Sequence, residues 1–257
     1  MTTGGVGNAP DLDHLALLEQ LQGRFHDSIA GVDPAAPVPA CGDWTVRDLV
    51  EHLAHVHHWA ATQARAEDDP GLGDGPFDLA PHYAAQAAGL RETLRSVPAD
   101  ALARVLSHPR PLDAGPASFW HRRQVHETLI HLHDLRAAVA GRAEPGLVAD
   151  VTPGTWADGV DEVVTVFQPR QVGLGRMRPL GVHVLLQADD VPGAPSWVLG
   201  FPDRDRAREI LPDVAVTGSA QSLALLLWRR LTPEEAGVAV LGDRRDLDAA
   251  LAEPIVP

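Results

Sequence analysis

The sequence predicts an α+β chain, with an all-helical first half of four main helices and a smaller α/β second half. Up to about residue 140, apolar residues recur at three- and four-residue spacing. After about 150, short apolar runs alternate with Gly, Pro and Asp turn signals. A third observation bounds the class: the richest apolar run, LALLLW at 223–228, is far shorter than the ~20 residues a membrane span needs. The expected division is 1–150 for the bundle and 151–257 for the α/β part.

The first predicted helix covers 11–30, where Leu15, Leu18, Phe25 and Ile29 fall near helical spacing and Asp11 is placed to cap it. A Pro- and Gly-rich connector follows. The second helix starts after Trp44, where Thr45 and Asp48 form a variant of the capping box. EDDPGLGDGPF breaks the chain, and a third helix runs over about 78–97 through Tyr83, Ala87, Leu90, Leu94 and Val97. Residues 98–117 fit neither pattern. The fourth helix covers about 118–140 and stops at Gly141, a natural left-handed terminator.

Beyond 150, VDEVVTVF at 160–167 still has helical spacing. GVHVLLQA (181–188), SWVLGF (196–201), DVAVTG (213–218) and GVAVLGD (237–243) have the pattern of strands. Ser219 caps a helix that begins SAQSLALLLW, and RRDLDAALA makes the last one.

Composition excludes several functions. The single cysteine, Cys41, rules out an internal disulfide and a four-Cys zinc site, so any metal must rest on His, Asp or Glu. The net charge of −14 argues against a nucleic-acid surface. The N-terminus lacks the basic and apolar regions of a secretory signal, which points to a soluble, cytoplasmic protein.

The chemistry concentrates in HRRQVHETLIHLHDLRAA, residues 121–138. A helix turns about 100° per residue, so His131 lies about 40° from Glu127 and the two stack on one face, with Gln124 and Asp134 nearby. His126 lies about 140° from His131 and cannot easily share an ion with it. The segment is therefore not the H-E-x-x-H of a zinc protease, whose histidines stand four apart.

Two ligands are too few, because a catalytic zinc usually takes three from the protein. The second helix offers Glu51, His52, His55, His57 and His58. His52 shares a face with Leu49, Val56, Trp59 and Gln63 and is the first choice, with His55 second. Against this stands the plainer reading of a solvated, histidine-rich face. Facing helices of a bundle do build metal sites.

CGDWTVRDLVEHLAHV at 41–56 resembles the Trp-Thr-Val-Arg-Asp-Leu-x-x-His segment of the mycothiol-dependent maleylpyruvate isomerase family. HETLIHLHDLRAAVAG at 126–141 resembles that family's His-Glu-x-x-x-His-x-x-Asp helix, and VAVTGSAQSLALLLWRRL with GVAVLGD is similar to its second domain. Here CGDW stands where Cys-Pro-Gly-Trp is usual.

The resemblance implies a DinB/YfiT-like four-helix bundle followed by a sterol-carrier-like α/β domain. It implies a divalent metal, normally zinc, held by His52, Glu127 and His131, with mycothiol as the thiol cosubstrate and a small molecule as substrate. It also implies a cleft arginine after Leu-Trp-x, which is Arg230, with Arg229 as its rival for binding the thiol or a carboxylate. Isomerase, S-transferase, metal-dependent hydrolase and non-enzymatic metal- and ligand-binding readings all fit these residues.

Overall fold

In the computed structural model of the chain, residues 12–106, 113–201 and 211–257 are described. The capping role expected of Asp11 lies outside them. The chain forms two compact units, one spanning His14–Val148 and the other containing Ala149–Pro257. Together they give an α+β architecture of helices with small sheets. Among the described residues, no helix is long and apolar enough to cross a membrane.

The first unit is built on α1 (His14–Ile29), α2 (Val46–Ala64), α3 (Leu79–Ser96) and α4 (Ser118–Ala140). Each helix packs against two or more of the others. Leu18, Leu21, Phe25, Leu49, Leu53, Leu90, Leu94, Leu129 and Leu132 fill the interior between them, all buried.

Helix α2 begins where the capping pair predicts. The Thr45 side chain accepts from the backbone N–H of Asp48, and the Asp48 carboxylate accepts from the Thr45 backbone N–H. The α2 face that packs inward carries Val46, Leu49, Val50, Leu53, Ala54, His57, Ala60, Ala61 and Ala64. The face on which the sequence places His52, with Leu49, Val56, Trp59 and Gln63, is only partly buried: Leu49 and Gln63 lie inside, Val56 and Trp59 at the margin. His57 is the histidine in the interior, and His52 sits at the edge of the buried face. Helix α2 packs on both α3 and α4, so its buried arc is wide and is centred away from His52.

The stretch that fitted neither pattern contains a hairpin, β1 (Leu102–Val105) and β2 (Asp113–Pro116), paired antiparallel. Its strands are too short for a clear period. Trp120 fastens it to α4 by donating its indole N–H to the Arg104 carbonyl at 2.8 Å. A Cβ on Gly115 would come within 2.8 Å of the Val105 side chain, so only glycine fits that crossing. Gly141 ends α4 with φ 73°, as the sequence predicts.

In the second unit, α5 (Pro153–Glu162) passes through a π-helical turn at Val163–Phe167 into α6 (Gln168–Gly173). Pro169 has no N–H to give to the helical ladder, which accounts for the local change of register.

Strands β3 (Val184–Ala188), β4 (Ser196–Leu199), β5 (Val214–Gly218) and β6 (Ala239–Gly242) form one sheet in the order β4-β3-β5-β6. Only the central β3/β5 pair is parallel. Helix α7 (Ala220–Leu227) starts at the Ser219 cap and is apolar over most of its circumference, Gln221 and Ser222 excepted. It is accordingly buried, against α5 and the sheet. A short turn α8 (Pro233–Ala236) and the final helix α9 (Arg244–Ala252) complete the unit.

Candidate metal centre

Three of the predicted side chains meet between α2 and α4. The Nε2 of His131 lies 3.2 Å from Glu127 Oε1, and the Nε2 of His52 lies 3.7 Å from the same oxygen. One donor atom from each of the three falls within 4.8 Å of the others. Four donors placed tetrahedrally around zinc at its usual bond lengths stand about 3.3 Å apart. Two imidazole nitrogens and a carboxylate oxygen at these separations fit a divalent ion of the zinc type.

The two helices contribute differently. Glu127 and His131 are brought together by their spacing of four residues on α4. His52 comes from α2, and its side chain remains 37% exposed while that of His131 is 8% exposed, so the trio has a dry side and an open side. Trp44, just before α2, lies over both imidazoles, with ring centroids 4.8 Å from His52 and 6.5 Å from His131. On the open side is a cavity of about 420 Å³ lined by Asp43, Trp44, Asp48, Glu51, His52 and His55.

Each of the two α4 side chains of the cluster has a partner on its far side. The Nδ1 of His131 donates to Asp134 Oδ2 at 3.1 Å, which leaves Nε2 pointing at Glu127. Glu127 Oε2 accepts from the guanidinium of Arg123, itself buried. Burial alone would raise the Glu127 carboxyl. Arg123, His131 and His52 outweigh that and hold it well below the usual carboxylate range, so it stays ionised. Burial would lower His131, but the bonds to Asp134 and Glu127 prevail and push it up to about 9. In the metal-free protein the imidazole thus carries the positive charge that an ion would otherwise supply.

The other candidates are placed elsewhere. His55 turns its Nδ1 to the Glu51 carbonyl at 2.6 Å, and its ring meets Phe77 and His82. His58 pairs with Asp69 at 3.2 Å. Of the two residues that the helical count places near Glu127 and His131, Asp134 contacts His131, whereas Gln124 accepts from His57 Nδ1 at 2.8 Å.

In the second unit, Arg229 adopts a left-handed φ of 57° and donates to the carbonyls of Ala252 and Glu253, tying down the end of α9. Arg230 donates to the Trp228 carbonyl at 2.9 Å and lies 6.0 Å from the Trp228 ring centroid.

Two features escaped the sequence reading. Arg123 stands four residues before Glu127, so the arithmetic that paired Glu127 with His131 extends to the row 123–127–131. The His57–Gln124 bond joins two helices and has no such local signal.

His57 gives the first prediction. Burial pushes its imidazole down to about 4, against a smaller opposing effect of Gln124. Between its unfolded value near 6.5 and about 4, the unfolded chain takes up a proton that the folded chain refuses. Stability therefore falls as pH drops through that window, by about 3 kcal/mol for this group. The raised His131 acts oppositely in the metal-free protein, and its contribution is lost as pH rises through about 9. Melting temperatures of the metal-free protein between pH 7 and 4.5 should fall more steeply for wild type than for His57→Gln. Parallel curves would remove His57 as the cause.

Comparison with known proteins bears on both units. Residues 16–136 match the family model of the mycothiol maleylpyruvate isomerase N-terminal domain, and residues 155–249 match that of the MDMPI C-terminal domain. Among solved structures, the chain is similar to a histidine-to-alanine mutant of the mycothiol-dependent maleylpyruvate isomerase. The TM-score is 0.64 at 15% identity, over 91% of this chain and 95% of that one. A second crystal structure of the mycothiol-dependent maleylpyruvate isomerase aligns with TM-score 0.59 at 14% identity, over 86% of this chain and 91% of that one. At these identities the structural likeness concerns the fold. No curated protein matches the sequence.

Proposed function

The chain belongs to the mycothiol-dependent maleylpyruvate isomerase family, and from that premise we propose that it is a metal-dependent enzyme that uses mycothiol to isomerise a small unsaturated keto acid such as maleylpyruvate. The observation that carries this reading is the convergence of His52, Glu127 and His131, donor atoms within 4.8 Å of one another, beside an open cavity. A divalent ion held there would favour the thiolate form of a bound thiol at neutral pH.

The residues of this chain then have distinct tasks. Asp134 fixes the His131 ring so that Nε2 is its donor. Trp44 shields one side of both imidazoles from water. The cavity mouth is acidic, but two of its carboxylates are engaged locally, Asp48 by Thr45 and Glu51 by Arg47.

Cys41 lies in the connector before α2, outside the ligand cluster, so the reactive sulfur belongs to the cosubstrate. Addition of the thiolate sulfur to the substrate's activated cis double bond leaves a single bond about which the molecule rotates. Loss of the same thiolate restores the double bond in the trans form, so the thiol is not consumed. Arg230 is the proposed cation for a substrate carboxylate. Arg229, committed to the end of α9, is the weaker choice for either role.

The test is turnover of maleylpyruvate by zinc-loaded protein with and without mycothiol. Thiol-dependent conversion to the trans isomer with full recovery of free thiol is expected, and Arg230→Ala should raise KM more than it lowers kcat. A stoichiometric loss of thiol would indicate an S-transferase, and turnover without thiol a hydrolase or another water-based reaction.

A further inference from the structure

We propose that Arg123 is a positioning residue that confines Glu127 to a single donor oxygen, so that the carboxylate cannot occupy the coordination position a thiol would need. The inference rests on the metal reading above. Arg123, Glu127 and His131 lie in one row of α4, four residues apart. The Arg123 side chain is 3% exposed, and its guanidinium holds Glu127 Oε2. The other oxygen, Oε1, is the one facing both histidines, at 3.2 and 3.7 Å. A carboxylate beside a divalent ion can bind through one oxygen or two. With Oε2 committed to a charge-assisted bond, only Oε1 is available.

Charge balance points the same way. Asp134 places a buried negative charge behind His131, and Arg123 places a buried positive charge behind Glu127. The two offset each other, so a divalent ion bound to Glu127 keeps one net positive charge. That remaining charge is what favours a thiolate over a thiol. An arginine whose only task was to steady the helix would not need to be buried. A solvent-exposed i,i+4 pair would serve, without the cost of desolvating two ions.

Cobalt(II) in place of the native ion makes the proposal measurable, since four-coordinate cobalt absorbs visible light strongly and higher-coordinate cobalt weakly. Wild type, Arg123→Met and Arg123→Lys are each loaded with cobalt and titrated with a thiol across pH. Arg123→Met is expected to bind cobalt at wild-type stoichiometry, with weakened visible bands. Its thiolate-to-cobalt absorption should appear at a pH about one unit higher, the usual effect of losing a nearby positive charge. Arg123→Lys keeps the charge but replaces a rigid planar donor with a flexible point charge. Its bands should weaken while its pH midpoint stays near wild type.

Wild-type bands and midpoint in Arg123→Met overturn the proposal, as does loss of cobalt by both variants, which would make Arg123 a purely structural residue. If Arg123→Met does not fold, Arg123→Lys decides: weakened bands support the proposal and unchanged bands overturn it. A wild-type protein that takes up no cobalt removes the metal reading itself. Uptake by wild type followed by either overturning result removes only the role given to Arg123.

Discussion

Alanine in place of His52, Glu127 or His131 is expected to strip the centre of its ion in each case. Losing a residue that only orients a ligand costs roughly 10–100-fold in metal affinity, so losing a ligand from a set of three should cost at least about 100-fold. Metal analysis after dialysis should find near-stoichiometric metal in wild type and almost none in the three variants, with thiol-dependent turnover lost in parallel. His58→Ala is the control, because His58 is paired with Asp69 away from the cluster.

Glu127→Ala carries a second penalty. It removes the carboxylate that the buried Arg123 guanidinium donates to, and breaking a buried pair costs about 3–5 kcal/mol. Glu127→Gln keeps the shape and separates lost coordination from lost stability. Metal retained by His52→Ala would sink the three-ligand centre, because α2 would then contribute nothing to it.

Asp134→Asn should weaken metal binding by roughly 10–100-fold without emptying the site. The Asp134 carboxylate accepts from His131 Nδ1 at 3.1 Å and is almost wholly buried, so it fixes both the ring's orientation and which nitrogen carries the proton. An asparagine side chain can present its NH₂ instead of its oxygen, and it removes the negative charge that makes the imidazole a better donor. Competition against a coloured chelator measures the change. An unaltered affinity would reduce Asp134 to a packing residue.

The two halves of the centre differed in how far the sequence revealed them. Glu127 and His131 belong to one helix, and helical geometry alone stacks residues four apart, so their pairing follows from counting. The same count reaches Arg123. The α2 member of the cluster could be ranked that way, His52 before His55, but not fixed. Periodicity divides Glu51, His52, His55, His57 and His58 among faces, but it says nothing of which face meets α4 or at what height. The face shared by His52, Leu49, Val56, Trp59 and Gln63 shows the limit. The inward histidine is His57, and His52, at the rim of the buried arc, comes within 3.7 Å of Glu127.

The element pattern behaved in the same way. Helix ends with local chemistry appeared where expected: the Thr45/Asp48 box, the Ser219 cap and the Gly141 terminator. Each involves groups within a few residues of each other. The β1/β2 hairpin was illegible, because four-residue strands carry too few alternations to show a period and the hairpin is secured from outside by Trp120.

By itself, then, the sequence determined the order and kind of most elements, the exclusion of an internal disulfide and of a four-Cys zinc site, and the stacked carboxylate and imidazole of α4. Those depend on interactions within a single segment, which spacing encodes directly. Only the tertiary structure decided that His52 rather than His55 completes the cluster, that His57 is sealed in the core against Gln124, and that Arg229 is tied to the end of α9. Those outcomes depend on how separate helices rotate against each other to bury their apolar surface. That rotation is set by the packing of the whole core, and no local pattern of residues records it.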